Sequence, residues 1–242
     1  MGRAGKLTIA GVVALLALLG GGYAVLSATS SDAPAPASLD ASSTTDPAAG
    51  STGGASATRS GSSGVLDGTW KVRADGASFV GYRVREQLTF LTAPNEAVGR
   101  TTAVTGTLRI AGNRVEAATV EADLRELASD ESRRDNAIRD RGLESESFPK
   151  ATFELTAPIV LRAAPAKGQQ VSTQGQGRLT VHGVTREVTL PLQSRWDGDT
   201  IQMAGQLPVR MSDYDIQPPR FGPVVSIQDS ATIELRLVFE HA

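Results

Sequence analysis

The sequence has no cysteine and only two histidines among its 242 residues. The absence of cysteine excludes disulfides, thiol catalysis, cysteine-based zinc sites and a lipoprotein attachment cysteine together. His241 is the penultimate residue, so a serine–histidine–acid arrangement would have to use His182. No Gly-x-Ser-x-Gly elbow accompanies it. We therefore expect no catalytic residue and no metal site, and we interpret the chain as a protein that is not an enzyme.

Motifs for binding phosphate, dinucleotide or calcium are also missing. There is no phosphate loop and no dinucleotide fingerprint, and Asp213 and Asp215 are too isolated to form a calcium loop. The formal net charge is −2, which gives no electrostatic argument for binding nucleic acid. The sequence thus predicts neither a cofactor nor a nucleic-acid partner.

The N-terminal region contains the one long hydrophobic run. Residues 7–26 carry no charge and follow Arg3 and Lys6. A helix of that length spans about 30 Å, the thickness of a bilayer core. The basic flank predicts a single-pass anchor with residues 1–6 in the cytoplasm and the rest of the chain outside. The alternative is a cleaved signal peptide and a secreted protein, which Gly20-Gly21-Gly22 favours because the glycines weaken a helix.

Residues 27–64 consist almost entirely of Ser, Ala, Thr, Gly, Pro and Asp, with Leu39 as the single large apolar residue. Such a segment cannot bury enough apolar surface to offset the entropy of ordering. We expect a disordered spacer with a root-mean-square reach of about 35 Å.

From residue 65 to residue 242 strand patterns recur and helix patterns are nearly absent. Apolar residues alternate with polar ones in segments separated by turn sequences such as Gly112-Asn113 and Asp197-Gly198. His182-Gly183 fits a tight, exposed hairpin turn, since both residue types tolerate positive φ. About eight strands joined mostly by hairpins predict one all-β domain, an antiparallel barrel or sandwich.

One charged segment interrupts the strands. Residues 129–143 fit a short helix with Ser129 as its N-cap, and Phe148-Pro149 ends the connection because Pro149 cannot continue a helix. The charges alternate in sign, as on a solvated helix face. The alternative interpretation is an anion-binding cluster formed by Arg133, Arg134, Asp135, Arg139 and Asp140.

Three blocks of sequence together resemble the YceI-like family. The first block runs from Arg134-Asp135 through Leu143 to a Phe-Pro-x-x-x-Phe motif at Phe148, Pro149 and Phe153. The others are the run from Gly177 to Leu192 and the segment Gly68 to Val72, so the resemblance covers about residues 68–239.

The resemblance implies an eight-stranded, lipocalin-like barrel that binds polyisoprenoids. It also implies a structural role for six motif residues: Arg134, Asp135, Phe148, Pro149, His182 and Gly183. Two features depart from the family pattern. Members often have a histidine near the end of the first long strand, where this chain has Glu86 and Gln87. The N-terminal anchor and spacer are additions.

For the barrel interior we expect apolar side chains without paired charges. The residues chosen as the ligand-binding lining are Val80, Tyr82, Val84, Phe153, Leu155, Ile159, Leu190, Leu192, Leu235 and Leu237. Burying one five-carbon isoprene unit is worth roughly 3–4 kcal/mol, at about 0.8 kcal/mol per methylene-sized group. Tyr214, Pro218, Pro219 and Phe221 belong to a loop that forms either the rim of the barrel mouth or a packed surface loop.

The sequence therefore predicts a membrane-tethered, extracytoplasmic protein that binds an isoprenoid or similar apolar lipid. The alternative is a surface interaction or stress-response module whose barrel is filled by its own side chains and has no specific ligand.

Overall fold

The computed structural model describes residues 33–39, 65–89, 95–219, 222 and 224–242. The predicted anchor at 7–26 and most of the predicted spacer lie outside these residues. In the part of the chain that the structure describes, no helix is both long and apolar enough to cross a membrane. The described residues from Ala35 to Ala242 belong to one compact unit.

The described residues contain eleven antiparallel strands and one short α-helix. The strands are β1 (Gly68–Val72), β2 (Phe79–Leu88), β3 (Asn95–Thr101), β4 (Val104–Ala111), β5 (Arg114–Asp123), β6 (Lys150–Leu155), β7 (Ile159–Val160), β8 (Gln170–Val181), β9 (Val184–Trp196), β10 (Thr200–Arg210) and β11 (Val224–His241). Short 3₁₀ turns lie at Leu124–Glu126 and Met211–Tyr214.

These strands close into a barrel with eight positions around its wall. The hydrogen-bonded order is β1-β4-β5-β6-β8-β9-β10-β11-β2-β3, and an additional pairing of β1 with β11 closes the ring. β11 is eighteen residues long and pairs with both β1 and β2, which act as two parts of one wall strand. A second wall position is shared by β3 and β4, which pair with β2 and β1 respectively. A third is shared by β6 and β7, which both pair with β5. The prediction of an all-β antiparallel eight-stranded barrel with one short helix is confirmed.

The ladder between β7 and β8 is incomplete. β6 pairs with β8 as far as Leu155 and Gly177, and Thr156 then donates its N–H to the carbonyl of Gln176 at 2.9 Å. Beyond that bond β7 pairs with β5 alone among the described strands. Residues 170–175 of β8 therefore pair with β9 on one side only. We call this the open seam.

The charged connection between β5 and β6 forms a helix, α1 (Ser132–Ala137), that continues into a π-helical turn at Ile138–Gly142. The prediction of a short helix within 129–143 is confirmed, but the predicted N-cap is wrong. Glu131 caps α1 by accepting a hydrogen bond from the N–H of Arg133. Ser129 is held instead by Asp135, whose carboxylate accepts from its hydroxyl at 2.6 Å.

Part of the predicted spacer is packed. Within residues 33–39, the side chains at Ala37 and Leu39 are buried, and Leu39 is only 2% exposed. The expectation of disorder is wrong for this stretch. Composition averaged over 38 residues conceals this short stretch, whose single leucine is buried.

Candidate functional site

The barrel interior contains two adjoining apolar cavities of about 120 and 110 Å³. They share four lining residues: Val80, Ala151, Val181 and Ile233. The first cavity lies toward α1 and is closed by residues of the helical connection and of the loop after β10. The second lies deeper among the strands and reaches Phe239. The two cavities therefore share part of one wall, and both linings suit an apolar guest.

All ten residues predicted for the lining border these cavities. Tyr82 and Val84 line the first cavity and Val80 lines both. The second cavity is lined by the remaining seven: Phe153, Leu155, Ile159, Leu190, Leu192, Leu235 and Leu237. The chosen face of each strand therefore points inward. Their contact with a ligand stays a prediction.

Sequence reasoning missed the residues that close the first cavity. These are mainly Leu127, Ile138, Met211, Ile216 and Ile227. The first four come from turns and irregular segments, where period-two alternation carries no information. Ile227 lies in β11 beside a register shift, which interrupts the alternation. Tyr214 and Pro219 also line the cavity, which favours the rim interpretation of their loop. Phe221 lies outside the described residues.

A buried ion pair lies at the α1 end of the barrel. Arg134 Nη2 contacts Glu86 Oε1 at 2.7 Å, and the two side chains are 6% and 0% exposed. Arg134 also pairs with Asp130 at 2.6 Å, and Asn95 donates to Glu86 at 3.1 Å. Burial alone would lower the pKa of Arg134, but hydrogen bonds and attraction to Glu86 and Asp130 raise it above its usual value. The guanidinium is fixed in its charged form.

The expectation of an interior without paired charges is wrong at this end. Glu86 continues the inward phase of Val80, Tyr82 and Val84, so its carboxylate needs a partner on the same side of the sheet. Arg134 supplies that partner from α1, 48 residues later in the chain. Together with the bond between Ser129 and Asp135, these contacts favour the structural interpretation of the Arg134-Asp135 pair.

Two motifs from different parts of the sequence meet at the β8–β9 hairpin. The ring of Phe148 packs edge-on against His182 with centroids 4.5 Å apart. A Cβ at Gly183 would lie 2.8 Å from the Phe148 ring, so the close approach requires glycine. The carbonyl of Pro149 accepts from the N–H of Leu124 at 2.8 Å, which ties the connection to the end of β5.

The hairpin predicted at His182-Gly183 is confirmed, with φ of 51° and 73° at its two residues. The predicted exposure is wrong, because Phe148 covers the imidazole and leaves it 12% exposed. Nδ1 lies 3.1 Å from the carbonyl oxygen of Tyr214. A carbonyl cannot donate, so this nitrogen carries the proton.

His182 does not assemble a catalytic group within the described part of the chain. Its Nε2 is 4.0 Å from Glu144 Oε1 and makes no hydrogen bond there. No serine hydroxyl bonds to it in the same residues. The described residues also contain no group of three or more His, Cys, Asp or Glu that could hold a metal ion.

Tyr82 carries a buried hydroxyl that has no hydrogen-bond partner among the described residues. Burial raises its pKa above the usual value of about 10, although Arg134 opposes the shift. Because the folded state favours the neutral phenol, the contribution of Tyr82 to stability is constant well below pH 10 and falls as the pH rises through 10.

We expect Tyr82→Phe to raise the free energy of unfolding by about 1 kcal/mol at pH 7, since it removes an unpaired polar group. The difference in the free energy of unfolding between the variant and the parent should increase above pH 10. Urea unfolding of both proteins at pH 7 and pH 10.5 measures this. A variant less stable than the parent at pH 7 would mean that the hydroxyl is bonded in solution.

Comparison with known proteins bears on this cavity. The family description "YceI-like domain" matches residues 70–239. A solved polyisoprenoid-binding domain from Saccharophagus degradans, implicated in plant cell wall breakdown, has 19% sequence identity and a TM-score of 0.59. The match covers 72% of this chain and 98% of that one.

BcnA of Burkholderia cenocepacia has 20% identity and a TM-score of 0.52, and the match covers 69% of this chain and 98% of that one. At these identities the likeness to both structures establishes a shared fold. No curated protein matches the sequence.

Proposed function

Because the chain belongs to the YceI-like family, we propose that it binds an isoprenoid or similar long apolar lipid inside its barrel. The observation that carries the proposal is the pair of adjoining cavities whose walls are almost wholly apolar. An apolar cavity of this kind excludes water and accepts apolar guests. The binding of a polyisoprenoid by the Saccharophagus degradans domain of the same fold supports the same ligand class.

The cavity volumes bear on how much lipid the barrel holds. An apolar cavity of about 150 Å³ accommodates one benzene molecule. Cavities of about 120 and 110 Å³ therefore suit about one five-carbon unit each. Two units bring a gross transfer free energy of about 6–8 kcal/mol. A longer lipid chain binds by displacing side chains that line the cavities, and each further unit adds to the favourable transfer free energy.

The proposed role is that of a binding protein without a catalytic step, since the side chains that surround the guest are apolar and unreactive. We further propose that residues 7–26 hold the protein in the membrane, with the barrel on the extracytoplasmic side. The uncharged run and its basic flank support this location. Secretion after cleavage of a signal peptide is the alternative.

The test is native mass spectrometry and lipid extraction of the purified chain and its Leu235→Trp variant. Leu235 borders the second cavity, so a tryptophan there fills the space that the guest needs. We expect the parent to carry an apolar lipid and the variant to lose at least nine-tenths of it. The variant should still fold, since overpacking costs about 1–3 kcal/mol and an open cavity absorbs part of the added volume.

Thr189→Trp is the matched control, because Thr189 is exposed on the outer face of β9. It should leave the bound lipid unchanged. A parent that carries no lipid and takes up none from vesicles would overturn the proposal and favour the filled-barrel alternative. Unchanged lipid in a folded Leu235→Trp variant would place the ligand elsewhere.

A further inference from the structure

A short segment of the N-terminal region is seated on the outside of the barrel. Of residues 35–39, Ala35 and Pro36 are exposed, whereas Ala37 and Leu39 are 5% and 2% exposed. We call residues 35–39 the strap. The strap consists of three small residues, one proline and one leucine, so its burial points to specific contacts with the barrel.

The contacts are hydrogen bonds to the strap backbone. The N–H of Ala37 donates to Glu234 Oε2 at 3.2 Å, and the carbonyl of Ala37 accepts from Gln206 Nε2 at 3.1 Å. The carbonyl of Ala35 accepts from Arg100 Nη2 at 2.7 Å. Three side chains, one each from β11, β10 and β3, thus form hydrogen bonds with the main chain of the strap.

Glu234 is the centre of this surface. Ile233 and Leu235 line the interior, so Glu234 between them points outward. An outward carboxylate is normally in water, yet this side chain is 0% exposed. Arg100 and Arg83 contact it at 2.7 and 3.4 Å. Burying a charge is costly unless it is paired and hydrogen-bonded, and both conditions are met here.

Glycine in β2 makes room for this arrangement. Gly81 is the register partner of both Glu234 and Arg100. A Cβ at Gly81 would lie 2.8 Å from Cγ of Arg100. The missing side chain therefore lets Arg100 cross β2 to reach Glu234. The sheet is shaped to bring the arginine and the carboxylate together under the strap.

We propose that this outer surface, formed by Glu234, Arg100, Arg83 and Gln206, is a docking site for a short peptide segment that is held through its main chain. Its occupant is the strap of the same chain. The site presents an acceptor for a backbone N–H and two donors for carbonyls, so it recognises a main-chain pattern. Attachment through residues 40–64 keeps the strap at a high local concentration, which favours it over a strap from another copy.

Docking changes the length of chain before the barrel. Residues 27–34 separate the proposed anchor from the strap, which is eight residues in place of the 38 between the anchor and residue 65. Eight residues reach at most about 29 Å. This consequence rests on the proposed anchor: a docked strap leaves eight residues of connecting chain, and release of the strap restores the connection of 38 residues.

The absence of cysteine gives a direct test in the full-length chain in detergent. Single cysteines are introduced as Ala37→Cys, Leu39→Cys and, as the matched exposed control, Ala35→Cys. Their rates of reaction with a maleimide are compared. We expect positions 37 and 39 to react at least tenfold more slowly than position 35, and all three to react equally in urea. If both buried positions react as fast as position 35, the strap is not docked.

A second substitution tests the site itself. Glu234→Gln in the Ala37→Cys chain should return the labelling rate to within threefold of the Ala35→Cys rate. Gln206→Ala, at an exposed residue, should raise the rate severalfold without affecting folding, so the test stands even if Glu234→Gln unfolds the barrel. Retained protection in both variants would overturn the assignment of the site. Light scattering gives the oligomeric state and so identifies the occupant. Slow labelling in a monomer supports a strap from the same chain, whereas slow labelling in a dimer alone contradicts it.

Discussion

Replacing Arg134 with alanine is expected to lower the free energy of unfolding by about 3–5 kcal/mol, because it leaves a buried carboxylate without its partner. Glu86 is completely buried, and Arg134 provides its contact at 2.7 Å from α1. The other partner of Glu86 among the described residues is the amide of Asn95, which donates one neutral hydrogen bond and cannot balance a charge in the interior. Urea unfolding of the variant at pH 7 measures the loss.

Two further variants separate the buried charge from the helix contact. Asp130 also pairs with Arg134 but its side chain is 54% exposed, so Asp130→Asn should cost less than about 1 kcal/mol. The double variant Glu86→Leu/Arg134→Leu removes both charges and should recover much of the stability lost in Arg134→Ala. A loss in Arg134→Ala no larger than that of Asp130→Asn would show that water reaches Glu86 in solution.

Trp70→Ala should have an effect of similar size, about 3–5 kcal/mol, through loss of core packing. Trp70 is fully buried in β1 and is the register partner of Leu108 in β4 and His241 in β11. Its indole N–H donates to the carbonyl of Leu66 at 2.9 Å. The ring therefore packs where the first and last strands close the barrel, and its removal leaves a cavity at that closure.

Trp196→Ala is the matched control for this prediction. Trp196 lies at the end of β9, is only partly buried, and donates its indole N–H to the carbonyl of Gly198 at 3.0 Å. It should cost less than half as much as Trp70→Ala in thermal or urea unfolding. Trp70→Phe should fall between the two, because it keeps most of the apolar volume. Equal losses for both alanine variants would contradict a special role for the closure.

Alternation and turn residues were sufficient to predict an antiparallel barrel or sandwich, and the resemblance to the YceI-like family selected the barrel. Period two identifies which residues share a face, and turn sequences such as His182-Gly183 set where chains reverse. Three wall positions are nevertheless built from two strands each, as in β6 and β7. The alternation from Phe153 to Leu161 continues without a break through the irregular residues 156–158. A sequence pattern of this kind does not report where hydrogen bonding stops.

Features that depend on distant contacts could not be predicted. Glu86 follows the inward phase of β2, but its partner Arg134 lies 48 residues away in a segment whose charges suggest a solvated face. The strap differs in that a local signal existed. Leu39 is the one large apolar residue in residues 27–64, and the structure shows that its side chain is buried. Glu234 gave no such signal, since an outward glutamate is ordinary in a strand.

The open seam has a consequence for how copies of the protein meet at high concentration. By strand alternation, Ser172 and Gln174 direct their N–H and C=O groups to the same side as Gln176, where the ladder has ended. An unpaired sheet edge is a template for a strand from another molecule. Around it lie Pro158, a β7 of only two residues and the polar side chains of β8, features that discourage such pairing. Edge-to-edge aggregation, where it occurs, should begin at residues 170–175, and a charged residue in place of Gln174 should suppress it.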